Sequence, residues 1–305
     1  MCKGKFDGFK EMVSFSAGGR AASWAVVSCV GATIMTVCVH ELASSMDSRM
    51  IVFWRCLLVV LLLTPVMLMR GKKLRVVNLR LHIYRGLLVT AALHLGFYAL
   101  AHLPIAKATV LFFLAPAFTT VMAWPLLGER IRLPRIIAVI VGFAGALIIL
   151  RPEQMREVEI AMFAAIACAF CFSLSLLIVK RMVKTESTAS IFISGPVIAG
   201  ICTFPLAVPV WHDPAGVEWV WVLLLVAGAS LRMFADIRAY RDGDAGFIAP
   251  FFYLRLVFVG IAGYFIFAEV PDSSTLLGSA VIIGAMLFIA YREAVLQKRI
   301  SSDSP

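Results

Sequence analysis

The sequence predicts an all-α polytopic membrane protein of ten transmembrane helices, arranged as two inverted five-helix repeats. Three observations carry this prediction. Of 305 residues, 61% are hydrophobic and only 15% charged, and the mean hydropathy is +0.94. A soluble domain has about 45–50% apolar and about 25% charged residues, so an ordinary cytosolic fold, a disordered chain and a disulfide-rich secreted scaffold are all excluded. Apolar runs long enough to cross a bilayer, which takes about 20 residues each, recur along the chain. The last two apolar runs of the first half also return in the second half with the same order of features.

Taken in order, the runs are Ala22 to His40, Met50 to Met69, Gly86 to His102, Thr109 to Leu127 and Arg135 to Leu150. The second group is Ile160 to Val179, Thr188 to Val210, Trp219 to Ile237, Ala245 to Phe267 and Leu276 to Tyr291. The first run is too long for the apolar region of a secretory signal and is read as retained. Basic residues collect in loops that stay cytoplasmic. With the N-terminus inside, inner segments hold 21 of the 28 Lys and Arg and outer segments hold 4. Both termini are therefore expected on the cytoplasmic side. The net charge of +10 has the same explanation, and no nucleic-acid partner is expected; the lipid bilayer is. The expected organisation is a cytoplasmic segment 1–21, repeats over 22–151 and 152–292, and a cytoplasmic tail 293–305.

The repeat is visible in "FFLAPAFTTVMAWPLLGERIRLPRIIAVIVGFAGALIILRPE" against "FFYLRLVFVGIAGYFIFAEVPDSSTLLGSAVIIGAMLFIAYRE". Each copy has an apolar helix, then Gly128-Glu129 or Ala268-Glu269, a short polar loop, and a final helix with a small pair, Ala138/Gly142 or Ala280/Gly284. Small residues one turn apart let membrane helices approach closely. The copies lie about 140 residues apart. Each repeat has an odd number of spans, so the second inserts upside down relative to the first, which is an architecture of secondary transporters.

On these features the chain resembles the drug/metabolite transporter superfamily, specifically its EamA-type members. The Pro-bearing fourth span ending in "LLGER" and the stretch "AYRDGDAGFIAPFFYLRLVFVGIAGYFIFAE" carry the resemblance, which runs from about Ser23 to Glu293. It implies carriage of a small-molecule substrate such as an amino acid, riboflavin, S-adenosylmethionine, a drug or a polyamine-like solute. It also implies a bacterial inner-membrane location.

Ionisable groups inside spans are costly and are default functional candidates. Arg255 lies deep in the ninth span, with Tyr253 nearby. His94, Tyr98 and His102 recur at i, i+4, i+8, as do Arg232, Asp236 and Tyr240. Such positions drift by only about 40° per step, so each set forms one polar stripe facing a cavity between the halves. Phe112, Phe113, Phe251, Phe252 and Tyr253 would supply an aromatic wall. Two arginines against one aspartate bias that cavity toward a carboxylate- or phosphate-bearing solute such as an amino acid, with a cofactor-type metabolite as the alternative. Pro116 and Pro250 remove backbone donors within spans and are hinge or static-kink candidates. Arg55, near a span end, reads as a snorkelling side chain, and Trp24, Trp54 and Trp124 as interfacial anchors. Glu129 and Glu269 read as caps of the helix that follows each.

Energy coupling by a P-loop is excluded, because Gly4-Lys5 and Gly71-Lys72 lack the rest of that motif. A coupling proton would need a titrating group, for which His94 and Asp236 are the candidates, whereas an exchanger or uniporter needs neither. An intramembrane enzyme is the alternative class. His40-Glu41 begins like a His-Glu-x-x-His metal motif, but Leu42, Ala43 and Ser44 break it. Cys168-x-x-Cys171 sits on an apolar helix and reads as packing. No cofactor, metal or catalytic residue is expected, and the oligomeric state is left open.

Overall fold

The computed structural model describes residues 17–69, 71, 74, 76–127, 137, 140–145, 148, 158–182, 185–242 and 254–302. Among these, the regular elements are helical. In the first half they are α1 (Ala17–Leu42), α2 (Ser48–Met69), α3 (Leu79–His102), α4 (Ile105–Phe112) and α5 (Ala115–Leu127). In the second half they are α6 (Val158–Met182), α7 (Thr188–Ala207), α8 (Glu218–Asp242), α9 (Leu254–Phe267) and α10 (Ser273–Ser302). Among the described residues, six helices are long and apolar enough to cross a membrane: α1, α2 and α3, and their counterparts α6, α7 and α8. The expected fifth span falls mostly outside the described residues, as do Glu129, Pro250, Phe251, Phe252 and Tyr253.

The helices start where side chains accept the first free N–H groups. Asp47 accepts from Arg49 N at 2.8 Å at the start of α2. Asn78 accepts from Leu81 N at 3.3 Å at α3. Ser187 accepts from Ser190 N at 3.0 Å at α7, and Asp272 from Thr275 N at 3.0 Å at α10. Asp47 and Ser187 occupy equivalent places in the two halves. The third span begins at Leu79, a full two turns before the expected Gly86, which brings His82 and Arg85 into the helix and buries both.

The fourth span is two helices. Phe113 N and Leu114 N bond to Val110 O and Leu111 O, a tightening that ends α4, and α5 starts at Ala115. Pro116 has no N–H to continue the α-helical ladder, so the interruption falls just before it. The Ser173 hydroxyl of α6 meets the carbonyl of Ala115 at 2.6 Å beside this break.

In lipid there is no hydrophobic force between helices, so contact depends on how closely backbones approach. α1 packs most extensively on α8, and α3 on α6, pairing the first helix of each half with the third helix of the other. The α1–α8 crossing is at Gly31 and Gly228: a Cβ on Gly31 would lie 2.7 Å from Arg232 N and 2.8 Å from Gly228 O. Ala21 and Ala25 near the start of α1 meet Ala239 near the end of α8, so the two helices run antiparallel. α2 and α7 are antiparallel too, with Phe53 against Phe204 and Val59 clustered with Phe192 and Ile193.

In the last helix the small pair Ala280/Gly284 is exposed, and a Cβ on Gly284 would meet nothing within 4 Å among the described residues. The close approach is at Gly145, whose Cβ would lie 2.9 Å from Gly278 O. Large apolar side chains such as Ile201 and Phe265 are exposed, at 68% and 79%, as a lipid-facing surface requires.

Candidate functional site

Where α1, α2, α6, α8 and α9 converge, the apolar interior holds a cluster of charge. Arg232 and Asp236 stand one turn apart on α8, with Nε and Oδ2 3.7 Å apart. The Ser28 hydroxyl of α1 donates a short hydrogen bond to Asp236 Oδ1. Arg255 reaches across from α9 and donates to Thr36 Oγ1 at 3.2 Å. The Gly31–Gly228 crossing makes this possible, because it brings Ser28 and Thr36 within reach of α8 and α9.

A third guanidinium joins them. Arg55 lies over the Phe97 ring at 5.8 Å and within electrostatic range of Arg232, which in turn lies over Phe172 at 5.9 Å and within range of Arg255. The snorkelling expected for Arg55 is thus replaced by an inward position: α2 begins at Ser48, so Arg55 is about two turns inside it. The Nε atoms of Arg55 and Arg255 are buried and find no hydrogen-bond acceptor among the described residues. Buried N–H groups of charged side chains rarely go without a partner.

The other polar stripe lies elsewhere. His94, Tyr98 and His102 line a cleft of about 800 Å³ at the end of the bundle where α1 and α3 finish, together with Asp47, Arg49 and Leu206. His94 Nε2 is 3.0 Å from Thr203 Oγ1 on α7, and the Tyr98 and His102 rings stack 4.2 Å apart. Asp47 is held below the usual carboxylate range, chiefly by its hydrogen bonds to the Arg49 side chain. The two stripes are therefore not brought to one group of contacts. Arg55 lies six residues beyond the cleft-lining Arg49 along α2 and is not among the residues that line the cleft. Phe113 closes α4 and packs against the core, and Phe112 approaches Gly96.

Further expectations change with the geometry. Trp54 is half-buried at the end of the bundle, where its indole donates to His212 O, in the loop before α8, at 3.3 Å and it packs on Trp219 at 5.2 Å. Trp24 packs edge-on against Phe234 at 5.7 Å. Cys168 faces Gly96, where its Sγ fills the space of a missing side chain. Glu269 does cap a helix, but not the one that follows it: Oε2 accepts from Ile105 N, at the start of α4, at 2.8 Å. The following helix is capped by Asp272.

Two features had little sequence signal. Glu186 accepts from Val77 N at 3.0 Å and Asn78 N at 2.7 Å, with His82 Nε2 at 3.4 Å from Oε2. Arg85, buried beside them, donates to Ile191 O at 2.7 Å. Arg85 precedes the apolar run that begins at Gly86, so its burial leaves no mark in the sequence, and its partner comes from the other half.

Comparison with known proteins agrees with this architecture. The EamA-like transporter family profile matches residues 19–151 and 159–291, and the chain belongs to that family. It is 33% identical to an S-adenosylmethionine uptake transporter of Rickettsia felis, covering 90% of this chain and 94% of that one. It is 30% identical to a riboflavin transporter of Vibrio cholerae over 72% and 74% of the two chains, and 27% identical to the pseudopaline exporter CntI of Pseudomonas aeruginosa over 87% and 94%. A solved crystal structure, 19% identical, superposes with a TM-score of 0.61 over 87% of this chain and 98% of its own, and shares the fold. The protein is an integral membrane transporter of a small metabolite, not an enzyme.

Proposed function

We propose that this transporter is a secondary, non-ATP carrier of a metabolite with an amino-acid end, working by alternating access between two inverted five-helix repeats, 22–151 and 152–292. In this reading ten helices cross a bacterial inner membrane, and segments 1–21 and 293–305 are cytoplasmic. The antiparallel pairing of α1 with α8 and of α2 with α7 supports the inversion, since a direct repeat would make both pairs parallel. The break between α4 and α5 before Pro116 supplies the discontinuous helix that such carriers place beside their substrate, and Pro116 is a hinge in this scheme.

The observation that carries the reading is the pair Arg232 and Arg255 around Asp236, with Arg55 within range of Arg232 and the Arg55 and Arg255 Nε–H groups left without acceptors among the described residues. A substrate carboxylate supplies those acceptors through charge-assisted bonds. Asp236 receives an ammonium, and the Phe97 and Phe172 rings offer faces to a cation or a planar base. S-adenosylmethionine has a carboxylate, an ammonium, a sulfonium and an adenine, and it is the substrate we favour within this class. Riboflavin has neither carboxylate nor ammonium and leaves the cluster unpaired. His94 and Tyr98 line the approach through the cleft.

The test is exchange of radiolabelled S-adenosylmethionine in proteoliposomes preloaded with unlabelled compound. Saturable exchange that is lost in Arg232→Ala and is not competed by riboflavin is expected. Exchange of riboflavin in its place, unaffected by Arg232→Ala, overturns the reading.

A further inference from the structure

Outside the arginine cluster, two imidazole–carboxylate pairs join the halves, one at each end of the bundle. His40 and His82 belong to the first half, Glu269 and Glu186 to the second. Each carboxylate also accepts the N–H groups that open a first-half helix: Ile105 N of α4 for Glu269, Val77 N and Asn78 N before α3 for Glu186. His40 contacts Leu100 near the end of α3, whereas His82 is near its start, about 27 Å away along the helix.

The hydrogen bonds fix the tautomer of His40. A carbonyl oxygen can only accept, so at 2.6 Å from Leu100 O the Nδ1 atom must be the donor. Neutral His40 therefore presents a lone pair at Nε2, and that atom lies 3.6 Å from Glu269 Oε1. Lone pair and carboxylate repel unless a proton lies between them, either on Nε2 or on Oε1. We infer that His40 and Glu269 form a proton-exchanging clamp: with one proton the pair holds the end of α1 to the α9–α10 loop, and loss of that proton to water opens that contact.

The surroundings agree. The charged and titratable groups toward this end of the adjoining elements are Cys38 and Glu41 on α1, Tyr98 and His102 on α3, Lys107 on α4, Tyr264 on α9 and Asp272 on the same loop. Lys107 acts on Asp272, and His40 is the charged neighbour that acts on Glu269. Burial raises the Glu269 carboxyl above the usual range, against the opposing pull of the Ile105 N–H and His40. The strain of the junction is visible next to it, where Ala268 has a φ of 53°. His82–Glu186 provides the internal control. Ser194 Oγ donates to Ile191 O and accepts from His82 Nδ1 at 2.7 Å, so Nε2 again faces a carboxylate. There, however, two backbone N–H groups, of Val77 and Asn78, reach the carboxylate and, together with His82, hold it low against burial.

The role of this clamp in transport rests on the carrier reading; its proton does not. The experiment titrates purified protein in nanodiscs between about pH 5 and about pH 8, following the carboxylic-acid C=O band in the infrared, and measures S-adenosylmethionine exchange in proteoliposomes over the same range. A titrating band that is present in wild type and Glu186→Gln but absent in Glu269→Gln is expected. Exchange should be pH-dependent in wild type and Glu186→Gln, and nearly flat in Glu269→Gln. If Glu269→Gln does not fold, His40→Gln serves: it keeps the carboxyl, and the band midpoint must move. A band unaffected by both substitutions overturns the clamp. A band that behaves as expected in a protein that exchanges no S-adenosylmethionine supports the clamp and overturns the substrate reading alone.

Discussion

Gly31 and Gly228 face each other across α1 and α8 with their backbones nearly in contact: a Cβ on Gly228 would lie 2.9 Å from Gly31 O, and one on Gly31 2.8 Å from Gly228 O. The nearest obstructing atom in each case is main chain, so no rotamer change alone can relieve a substitution. Gly31→Ala and Gly228→Ala must push the helices apart, drawing Ser28 and Thr36 away from Asp236 and Arg255. Overpacking of this kind costs about 1–3 kcal/mol. Each variant should lower the thermal midpoint of the purified protein and weaken ligand binding with it. A variant with an unchanged midpoint would mean that this crossing is looser than its geometry.

Arg255 separates a ligand-binding role from a structural one. Its Nη2 bonds Thr36, but its Nε is buried without an acceptor among the described residues. An uncompensated buried charge destabilises, and a hydrophobic side chain of similar volume in its place is often neutral or stabilising by about 1–4 kcal/mol. Arg255→Met should therefore unfold at the same temperature as wild type or higher, while binding of S-adenosylmethionine falls at least about tenfold, or ~1.4 kcal/mol. A lowered midpoint in a differential scanning measurement would assign Arg255 to the scaffold.

The contrast between Arg255 and Arg55 shows what the sequence makes legible. Helix positions follow from the length of apolar runs, and Arg255 stands out because it is far from either end of one. Arg55 has the same chemistry, yet Arg49 nearby makes it look like a span edge. Only the start of α2 at Ser48 and the Phe97 ring from α3 turn it inward. His82 and Arg85 were obscured likewise, since α3 begins before its apolar run does. Partnerships between the halves leave the weakest trace: Glu269 and Ile105 are 164 positions apart, and nothing in either neighbourhood names the other. The His94 stripe was legible as a stripe, but its separation from the arginines depends on tertiary packing.

Glu186 makes a pH prediction with a definite sign. Burial acts to raise its carboxyl, but the Val77 and Asn78 N–H groups and His82 together hold it below the usual carboxylate range. A carboxyl depressed in the folded state contributes stability above its unfolded value, about 4.3, and that contribution disappears as pH falls through the folded value. Glu186→Gln keeps one acceptor but loses the charge. Its thermal midpoint should be lower than wild type near neutrality, and the gap should close in acid. A gap that is constant from neutral to acid pH would show that the carboxylate charge is not what holds the α3 N-terminus.

Asp236 tests which end of the substrate the cluster recognises. It is bonded by Ser28 and paired with Arg232 at 3.7 Å. In Asp236→Asn the amide oxygen still accepts from Ser28, so the α1–α8 contact persists. What disappears is the carboxylate beside Arg232 and Arg255, and with it the acceptor for a substrate ammonium. Binding of S-adenosylmethionine should weaken by at least about tenfold, ~1.4 kcal/mol. The deaminated analogue keeps the carboxylate but has no ammonium, so it should bind the variant at least as well as wild type, because the Arg232 and Arg255 guanidiniums now face it unopposed. Calorimetric titration of both compounds against both proteins measures the difference directly. Equal losses for the two compounds would mean that Asp236 serves only to orient Arg232, and that the ammonium is met elsewhere.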